Sequence, residues 1–298
     1  MHGLCPVAPA PLLEIRGLTK SYGGKTVLAG IDLVVDRGET VVVLGGSGSG
    51  KSTLARLLIG LEPPTSGHIL VAGRDLVGLS EDELSEERKR FAMVFQKYAL
   101  LDSLSVYDNV AFPLVERGLP RREIERRVMT QLEALGVADA AQKLPGELSG
   151  GMSKRVGIAR AMVMDPEILV YDEPTSGLDP VTSRVVDDLI EEVRERFCVT
   201  SIVITHDMAT AWGIADRVVL LHGGRIVIDG PPEVVLASDD PRIRPFADAS
   251  GVDPQRLGHR RKRTPPEEIR ARWSERTAAP PGDERDRRSA GALRFSRA

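Results

Sequence analysis

Two patterns of apolar and polar residues, one typical of buried strands and one typical of half-exposed strands, recur along most of the chain. Apolar, β-branched runs at residues 41–44, 168–171 and 201–205 predict strands that are covered on both faces. Partly alternating runs at 12–22 and 26–35 predict edge strands, since alternation leaves one face in solvent. Shorter strands are predicted at 68–72 and 91–95, and a hairpin is predicted where residues 217–221 and 225–228 flank Gly223 and Gly224.

Apolar residues at helical spacing follow several of these strands. The first stripe predicts a helix that ends before Pro63 and Pro64, and consists of Leu54, Leu57, Leu58 and Leu61. Ser80, with Glu83 three residues on, predicts a capped surface helix over 79–90. Residues from about 97 to 166 have a largely helical pattern, including the stripe Ile124, Val128, Leu132 and Leu135. A further stripe predicts a helix behind an Asp179–Pro180 cap, and consists of Val185, Leu189, Val193 and Phe197.

A glycine-rich segment joins the first buried strand to the first helix. Residues 45–52, GGSGSGKS, fit the pattern G-x-x-x-x-G-K-[ST] without a mismatch, and are called the phosphate loop below. Glycines let backbone N–H groups turn towards phosphate oxygens, and the helix N-terminus adds positive potential. We expect Lys51 to reach the β- and γ-phosphates and Ser52 to bind Mg²⁺. The predicted nucleotide-binding residues here are Gly45, Gly46, Ser47, Gly48, Ser49, Gly50, Lys51, Ser52 and Thr53.

A second glycine-rich turn, at residues 148–152, is called the signature turn below. Its Ser149, Gly150 and Gly151 precede a helical stripe that continues through Val156 and Ala159. The serine predicts an N-cap, and the N-terminus behind it is a second candidate anion site. The simpler interpretation is a helix cap alone.

Two acids follow the second buried strand. Asp172 and Glu173 are costly at the end of an apolar strand unless a cation is present, and Mg²⁺ at the phosphate loop supplies one. We expect Asp172 to bind Mg²⁺ and Glu173 to act as a general base on the attacking water. The alternative is a solvated strand end.

Three single residues each have two interpretations. Tyr22 could stack on adenine or be an ordinary strand-end tyrosine. Gln96, after the strand at 91–95, could contact water or Mg²⁺ or be a solvated loop residue. His206 ends a buried strand, where parallel sheets place ligands, although a lone histidine there is more often structural.

Composition limits the remaining possibilities. The 298 residues include 40 Lys+Arg and 43 Asp+Glu, for a net charge of -3, so no basic field indicates a nucleic-acid partner. From residue 250 onward there are 13 Lys/Arg against 7 Asp/Glu and few apolar residues, which predicts a largely disordered, basic segment. Cys5 and Cys198 lie far apart, which favours a reducing cytosol. No apolar run approaches the roughly 18 residues of a membrane span, so we expect any membrane role to come through a partner.

Taken in order, these motifs resemble the ATPase subunit of ABC transporters over residues 12–240. The resemblance implies an α/β P-loop NTPase fold with a RecA-like core, an antiparallel β edge and a helical subdomain at about 97–165. It leaves a flexible lead-in at 1–11 and a C-terminal extension at 241–298. It also implies ATP and Mg²⁺ as ligands, a head-to-tail homodimer, and an integral-membrane permease as partner.

The resemblance also assigns roles. Glu173, His206 and Gln96 would be catalytic, and Ser52, Gln96 and Asp172 would hold the metal. Ser149, Gly150 and Gly151 would act in trans on the γ-phosphate bound by the other subunit, while Tyr22 would stack on adenine.

A narrower likeness rests on the runs LSGGMSKRVGIARAM, GLDPVT and DPRIRPF. They resemble the Mla-type phospholipid transporter ATPases, which implies an MCE-domain lipid-binding partner and a place at the cytoplasmic face of the inner membrane. Met152 stands where the signature usually has Gln. The alternatives are an ABC importer for amino acids or another small solute, and a non-transport ABC ATPase. A single cassette without sustained heptads argues against the last class, which acts on ribosomes or DNA.

Overall fold

A computed structural model describes residues 11–95, 99–236, 238–244 and 248. Gln96 lies outside the described residues, as do nearly all of the predicted lead-in and the extension after residue 248. Described residues up to Leu100 and from Met164 onward form one compact unit, and Leu101–Val163 form a second. The domain limits expected from the resemblance stay predictions.

The secondary structure follows the predicted alternation. The strands are β1 (Leu13–Tyr22), β2 (Lys25–Val35), β3 (Thr40–Leu44), β4 (Ser66–Val71), β5 (Arg74–Asp75), β6 (Phe91–Phe95), β7 (Ile168–Asp172), β8 (Thr200–Thr205), β9 (Arg217–His222) and β10 (Arg225–Gly230). The helices are α1 (Lys51–Leu58), α2 (Glu81–Arg88), α3 (Val106–Glu116), α4 (Arg121–Ala134), α5 (Gly150–Met162), α6 (Pro180–Phe197), α7 (Met208–Ile214) and α8 (Pro232–Leu236), with two 3₁₀ turns at Ala138–Ala140 and Pro145–Glu147.

A six-stranded sheet with the order β10-β9-β3-β8-β7-β6 carries the first unit. All neighbours except β9 and β10 are parallel, and Val42 lies between Val203 and Val218. The side chains of β3 are fully buried, which confirms the prediction of a strand covered on both faces. The parallel register pairs Leu44 with Thr205 and Asp172 with Ile204. The segments that follow β3, β7 and β8 therefore emerge at one edge of the sheet.

A four-stranded antiparallel sheet, β2-β1-β4-β5, adjoins this core in the first unit. Its β1 and β2 pair from Leu13 opposite Val35 to Tyr22 opposite Lys25, which confirms the two predicted strands. β2 lies at the edge of the sheet as predicted, but the prediction of an edge position for β1 is wrong, because β4 pairs with its other side. Leu13, Ile31, Val43 and Leu57 belong to one buried hydrophobic cluster that joins both sheets and α1. Burial of such side chains is the main stabilising contribution to the fold.

The prediction that α1 continues to Leu61 is wrong. The helix ends at Leu58, and Leu61 is 59% exposed. Gly60 adopts a left-handed conformation with φ 67°, and the Leu61 N–H donates to the Arg56 carbonyl at 2.9 Å. This is a glycine stop, so the helix ends before Pro63 can act.

The predicted face of α6 is also wrong in part. Asp179 caps the helix as expected, because its carboxylate accepts from the N–H groups of Val181 and Thr182. Val185, however, is 50% exposed, whereas Val186 and Ile190 are buried. Leu189 and Val193 of the expected stripe are buried as predicted, so the core face shares these two residues with the stripe and takes in Val186 in place of Val185.

The second unit is helical, and α3, α4 and α5 pack on one another within it. Ile124, Val128 and Leu132 of α4 are buried, and Gly136 follows in a left-handed conformation, which confirms the predicted helix and its end. The helix α3, which contains Pro113, falls in the region predicted only as helical. None of the described helices is long and apolar enough to cross a membrane.

Candidate functional site

The phosphate loop connects the buried strand β3 to α1 through a turn in which the first and last glycines, Gly45 and Gly50, have close neighbours where a Cβ would lie. A Cβ on Gly45 would lie 2.5 Å from the Leu221 carbonyl oxygen and 2.6 Å from Ser49 Oγ. Gly50 has φ 106° and is the N-cap of α1, so the cap residue offers no side chain to the first N–H groups of that helix, and no other side chain in the described part of the chain is seen to accept from them. These N–H groups are therefore left for an external anion, which is the arrangement that phosphate binding requires.

The Lys51 side chain is held over the phosphate loop by backbone carbonyl groups of the loop. Its side chain is 8% exposed, and Nζ donates to the carbonyl oxygens of Gly45 at 2.8 Å and Gly46 at 3.2 Å. Glu173 Oε1 lies 3.4 Å from the same Nζ. A buried ammonium group with a carboxylate partner is thus placed at the centre of the loop.

Glu173 connects this lysine to His206. Its Oε2 lies 2.7 Å from His206 Nδ1 and accepts from the His206 N–H at 3.3 Å. Its own N–H donates to the Ile204 carbonyl at 2.8 Å, and its φ of 52° is unusual for a residue other than glycine. Such a backbone conformation costs about 1 kcal/mol or more and is concentrated at functional sites.

Asp172, the last residue of β7, carries a polar atom without a partner. Its Oδ1 is buried and accepts no hydrogen bond from any described residue. Burial, together with the nearby Glu173 carboxylate, raises the pKa of Asp172 above its ordinary value. A cation beside this carboxylate would offset both effects. Ser52 at the start of α1 is exposed, so Ser52 and Asp172, two of the residues predicted to hold the metal, each have an oxygen of the kind that a divalent metal ion binds.

A group of residues that the sequence interpretation missed supports the Glu173 and His206 segments. Thr175 Oγ1 lies 3.2 Å from Asp207 Oδ2 and 3.1 Å from Thr210 Oγ1, and Asp207 also caps α7. Thr175 and Thr210 are buried. Asp207 directly precedes α7 and is an aspartate, which is a common N-cap residue. This signal could have revealed α7, although the helix has only seven residues.

Tyr22 lies at the end of β1, with 41% of its surface exposed. Its hydroxyl donates to Glu62, and Lys20 Nζ lies 4.9 Å from the ring centre. Glu62 also accepts from Arg56 of α1. The ring is therefore connected to the helix that begins at the phosphate loop.

The signature turn belongs to the second unit. Ser149 Oγ accepts from the Met152 N–H at 3.3 Å, which confirms the predicted N-cap of α5. Ser149, Gly150 and Gly151 are exposed.

The first unit thus brings together several of the predicted site residues: the phosphate loop, Asp172, Glu173 and His206 at one edge of the sheet, with Tyr22 connected through α1. Gln96 lies outside the described residues. The individual roles of all these residues stay predictions.

Comparison with known proteins gives the context of this geometry. The family model described as ABC transporter matches residues 28–176. The chain is 41% identical over 243 residues to "Probable ribonucleotide transport ATP-binding protein mkl" of Mycobacterium leprae, across 81% of this chain and 70% of that protein. It is 43% identical over 236 residues to "Methionine import ATP-binding protein MetN" of Rhizobium johnstonii, across 79% of this chain and 65% of that protein.

Two solved structures share the fold. The structure of cbiO1 from Clostridium perfringens, described as part of the ABC transporter complex cbiONQ, matches with a TM-score of 0.72 and 35% identity, over 78% of this chain and 92% of that one. The cassette MJ0796, described as a dimer in a post-hydrolysis state bound to ADP and Pi, matches with a TM-score of 0.64 and 30% identity, over 74% and 98%.

Proposed function

The chain belongs to the ABC transporter family as an ATP-binding ATPase subunit, and from this we propose that it powers phospholipid transport between the inner and outer membranes. Support for the lipid cargo comes from the Mla-type runs around the signature turn and after β7. Import of an amino acid is the second candidate, supported by the 43% identity to the methionine import protein.

The observation that carries the catalytic proposal is the placement of Glu173 between Lys51 and His206, 3.4 Å from the lysine Nζ and 2.7 Å from the imidazole Nδ1. In this proposal Lys51 and the free N–H groups of α1 bind the β- and γ-phosphates of ATP. The Glu173 carboxylate then accepts a proton from the attacking water as general base. His206, bonded to Glu173, holds that carboxylate in place and contacts the γ-phosphate.

We further propose that Mg²⁺ is held by Ser52 and Asp172, with Gln96 as an additional ligand. The orphaned Asp172 Oδ1 supports this assignment. The metal would supply positive charge to the phosphate oxygens, and its presence would keep Asp172 ionised against the effect of burial.

The signature turn supplies the proposed dimer contact. Ser149, Gly150 and Gly151 of one subunit would bind the γ-phosphate held by the other, and the dimeric relative supports a homodimer. An integral-membrane permease and an MCE-domain lipid-binding protein are the proposed partners, at the cytoplasmic face of the inner membrane. ATP would then stabilise the closed dimer, and hydrolysis would remove that stabilisation.

The substitution Glu173→Gln tests the catalytic proposal. It keeps the shape of the side chain and removes the base, so ATP affinity should stay within about threefold while ATP turnover falls by at least about 100-fold. Turnover and ATP affinity are measured on the purified full-length chain. Glu81→Gln, which removes an exposed carboxylate paired with Arg88, is the matched control and should leave both unchanged. Normal turnover in Glu173→Gln would exclude Glu173 as the base.

Co-purification from membranes tests the cargo. Recovery of an MCE-domain protein with the permease supports phospholipid transport. Recovery of a periplasmic solute-binding protein would instead support import of a small solute.

A further inference from the structure

We infer that Glu62 is a positioning residue for the nucleotide base, because it fixes the Tyr22 ring relative to the phosphate loop. The inference rests on the proposed function, in which Tyr22 stacks on adenine. It assigns a role to Glu62, Arg56 and Lys20, which belong to none of the predicted motifs.

Glu62 uses both carboxylate oxygens in this cluster. Its Oε2 accepts from the Tyr22 hydroxyl and lies 3.4 Å from Lys20 Nζ, while its Oε1 accepts from Arg56 Nε at 2.7 Å. Forty residues separate Tyr22 from Glu62 in the sequence, so the fold itself brings them together. The ring of an exposed tyrosine normally rotates about two side-chain bonds, and a bond at its far end restricts both.

The charge state of Glu62 fixes the direction of these bonds. The hydrogen bond from Tyr22, with those from Arg56 and Lys20, lowers the pKa of Glu62 below its ordinary value. At neutral pH Glu62 is therefore ionised and can only accept hydrogen bonds. The Tyr22 hydroxyl must be the donor, and it is oriented towards the carboxylate.

Arg56 connects the same carboxylate to the phosphate loop. It belongs to α1, and its Nη2 donates to Thr53 Oγ1 at 3.3 Å, two residues after Lys51. The ring and the phosphate-binding N–H groups are thus tied to one short helix. A nucleotide must span both points at once, so holding this distance removes part of the ordering cost of binding.

Lys20 determines which face of the ring is available. Its side chain is mostly buried, and Nζ donates to the Pro63 carbonyl at 2.7 Å while lying 4.9 Å from the Tyr22 ring centre. A cation at this distance covers one ring face. The ring, 41% exposed, therefore offers its opposite face to the base.

Binding of ATP and of inorganic triphosphate, measured by calorimetry on the full-length chain with Mg²⁺, tests the inference. Triphosphate has the phosphates but no base. In Tyr22→Phe and Glu62→Ala we expect the Kd for ATP to rise by about threefold to tenfold. The Kd for triphosphate should stay within about twofold.

Glu62→Gln keeps an acceptor for the Tyr22 hydroxyl and should recover part of the ATP affinity. The double variant Tyr22→Phe/Glu62→Ala should bind ATP no more weakly than Glu62→Ala alone, because Glu62→Ala already removes the bond to the Tyr22 hydroxyl.

Glu81→Ala is the control, since it also removes a surface glutamate that pairs with an arginine, and its affinities should match those of the wild type. Equal weakening of ATP and triphosphate would overturn the inference, because the cluster would then only stabilise the loop. If the wild-type chain binds ATP and both single variants bind it with the same affinity, the inference would be overturned and the proposed function would stand. A wild-type chain that bound neither ligand would instead remove the proposed function, and this inference with it.

Discussion

Two helices of the molecule begin at glycine-rich turns, and the two turns are built in opposite ways. At the start of α1, Gly50 provides no side-chain cap, and a Cβ on Gly45 would collide with the Leu221 carbonyl at 2.5 Å. At the start of α5, Ser149 caps the helix with its side chain, while a Cβ on Gly150 or Gly151 would meet no atom of the described residues within 4 Å, apart from the helix's own nearby backbone. The first turn is packed into its own unit, and the second is open.

The difference separates two reasons for having glycine. The first unit favours glycine at position 45, because any side chain there would force the Leu221 carbonyl and Ser49 to move. Gly150 and Gly151 have neither a positive φ nor a close neighbour among the described residues. Glycine costs roughly 0.5–1 kcal/mol relative to alanine in the middle of a helix, and less at the first two positions of α5 that these residues occupy. A destabilising residue without a local structural reason supports the proposal that another molecule approaches the signature turn closely.

The largest effect is expected from Gly45→Ala. The added methyl group is too close to both the Leu221 carbonyl and Ser49, so both must move and the free energy of unfolding should fall by about 1–3 kcal/mol. The distorted loop should also weaken ATP binding by at least about tenfold. Urea unfolding and equilibrium ATP binding measure the two changes. Wild-type stability in this variant would show that the first turn is as open as the second.

Gly151→Ala should separate stability from activity. The methyl group enters open space and improves helix propensity, so the free energy of unfolding should be unchanged or rise by up to about 1 kcal/mol. If the turn binds a γ-phosphate in trans, ATP turnover should nevertheless fall by at least about tenfold, since the methyl group obstructs the approach. Urea unfolding and the ATPase rate of the full-length chain are the two measurements.

Gly146→Ala is the matched control for this variant. Gly146 lies in the same unit, and a Cβ there also meets no atom within 4 Å in the part of the chain that the structure describes. Its turnover should equal that of the wild type. Full activity in Gly151→Ala would contradict a role of the signature turn at the phosphate.

The sequence predicted the elements around the phosphate loop because strand, loop and helix follow one another directly. The sequence did not predict the long-range contacts. The bond from Tyr22 to Glu62 and the contact of Glu173 with Lys51 depend on register between distant segments, which local patterns do not encode. His206 was recognised as a strand end, but its bond to Glu173 needed the parallel order of β7 and β8.

The wrong predictions have local causes. Leu61 fits the stripe of α1, yet the helix ends at Leu58. Gly60, two residues later, adopts a left-handed conformation in which the last carbonyl groups of the helix accept hydrogen bonds. Val185 fits the apolar row of α6 that also contains the buried Leu189 and Val193, but at this turn the core takes in Val186 and leaves Val185 exposed. Tertiary packing decides between two neighbouring residues that periodicity cannot distinguish.

The smallest loss of stability is expected from Ser149→Ala. This variant tests whether the capping role and the ligand-binding role of the signature turn can be separated. Loss of the bond to the Met152 N–H, 3.3 Å long and exposed, should cost about 0.5–1 kcal/mol in the free energy of unfolding. Ser149→Asp restores an N-cap and should recover that stability, since a carboxylate is favourable at a helix N-terminus. The same carboxylate would repel a γ-phosphate, so ATP turnover in Ser149→Asp should stay below that of Ser149→Ala. A variant Ser149→Asp with both stability and turnover restored would show that the serine only caps α5, and the two turns would then differ in packing but not in function.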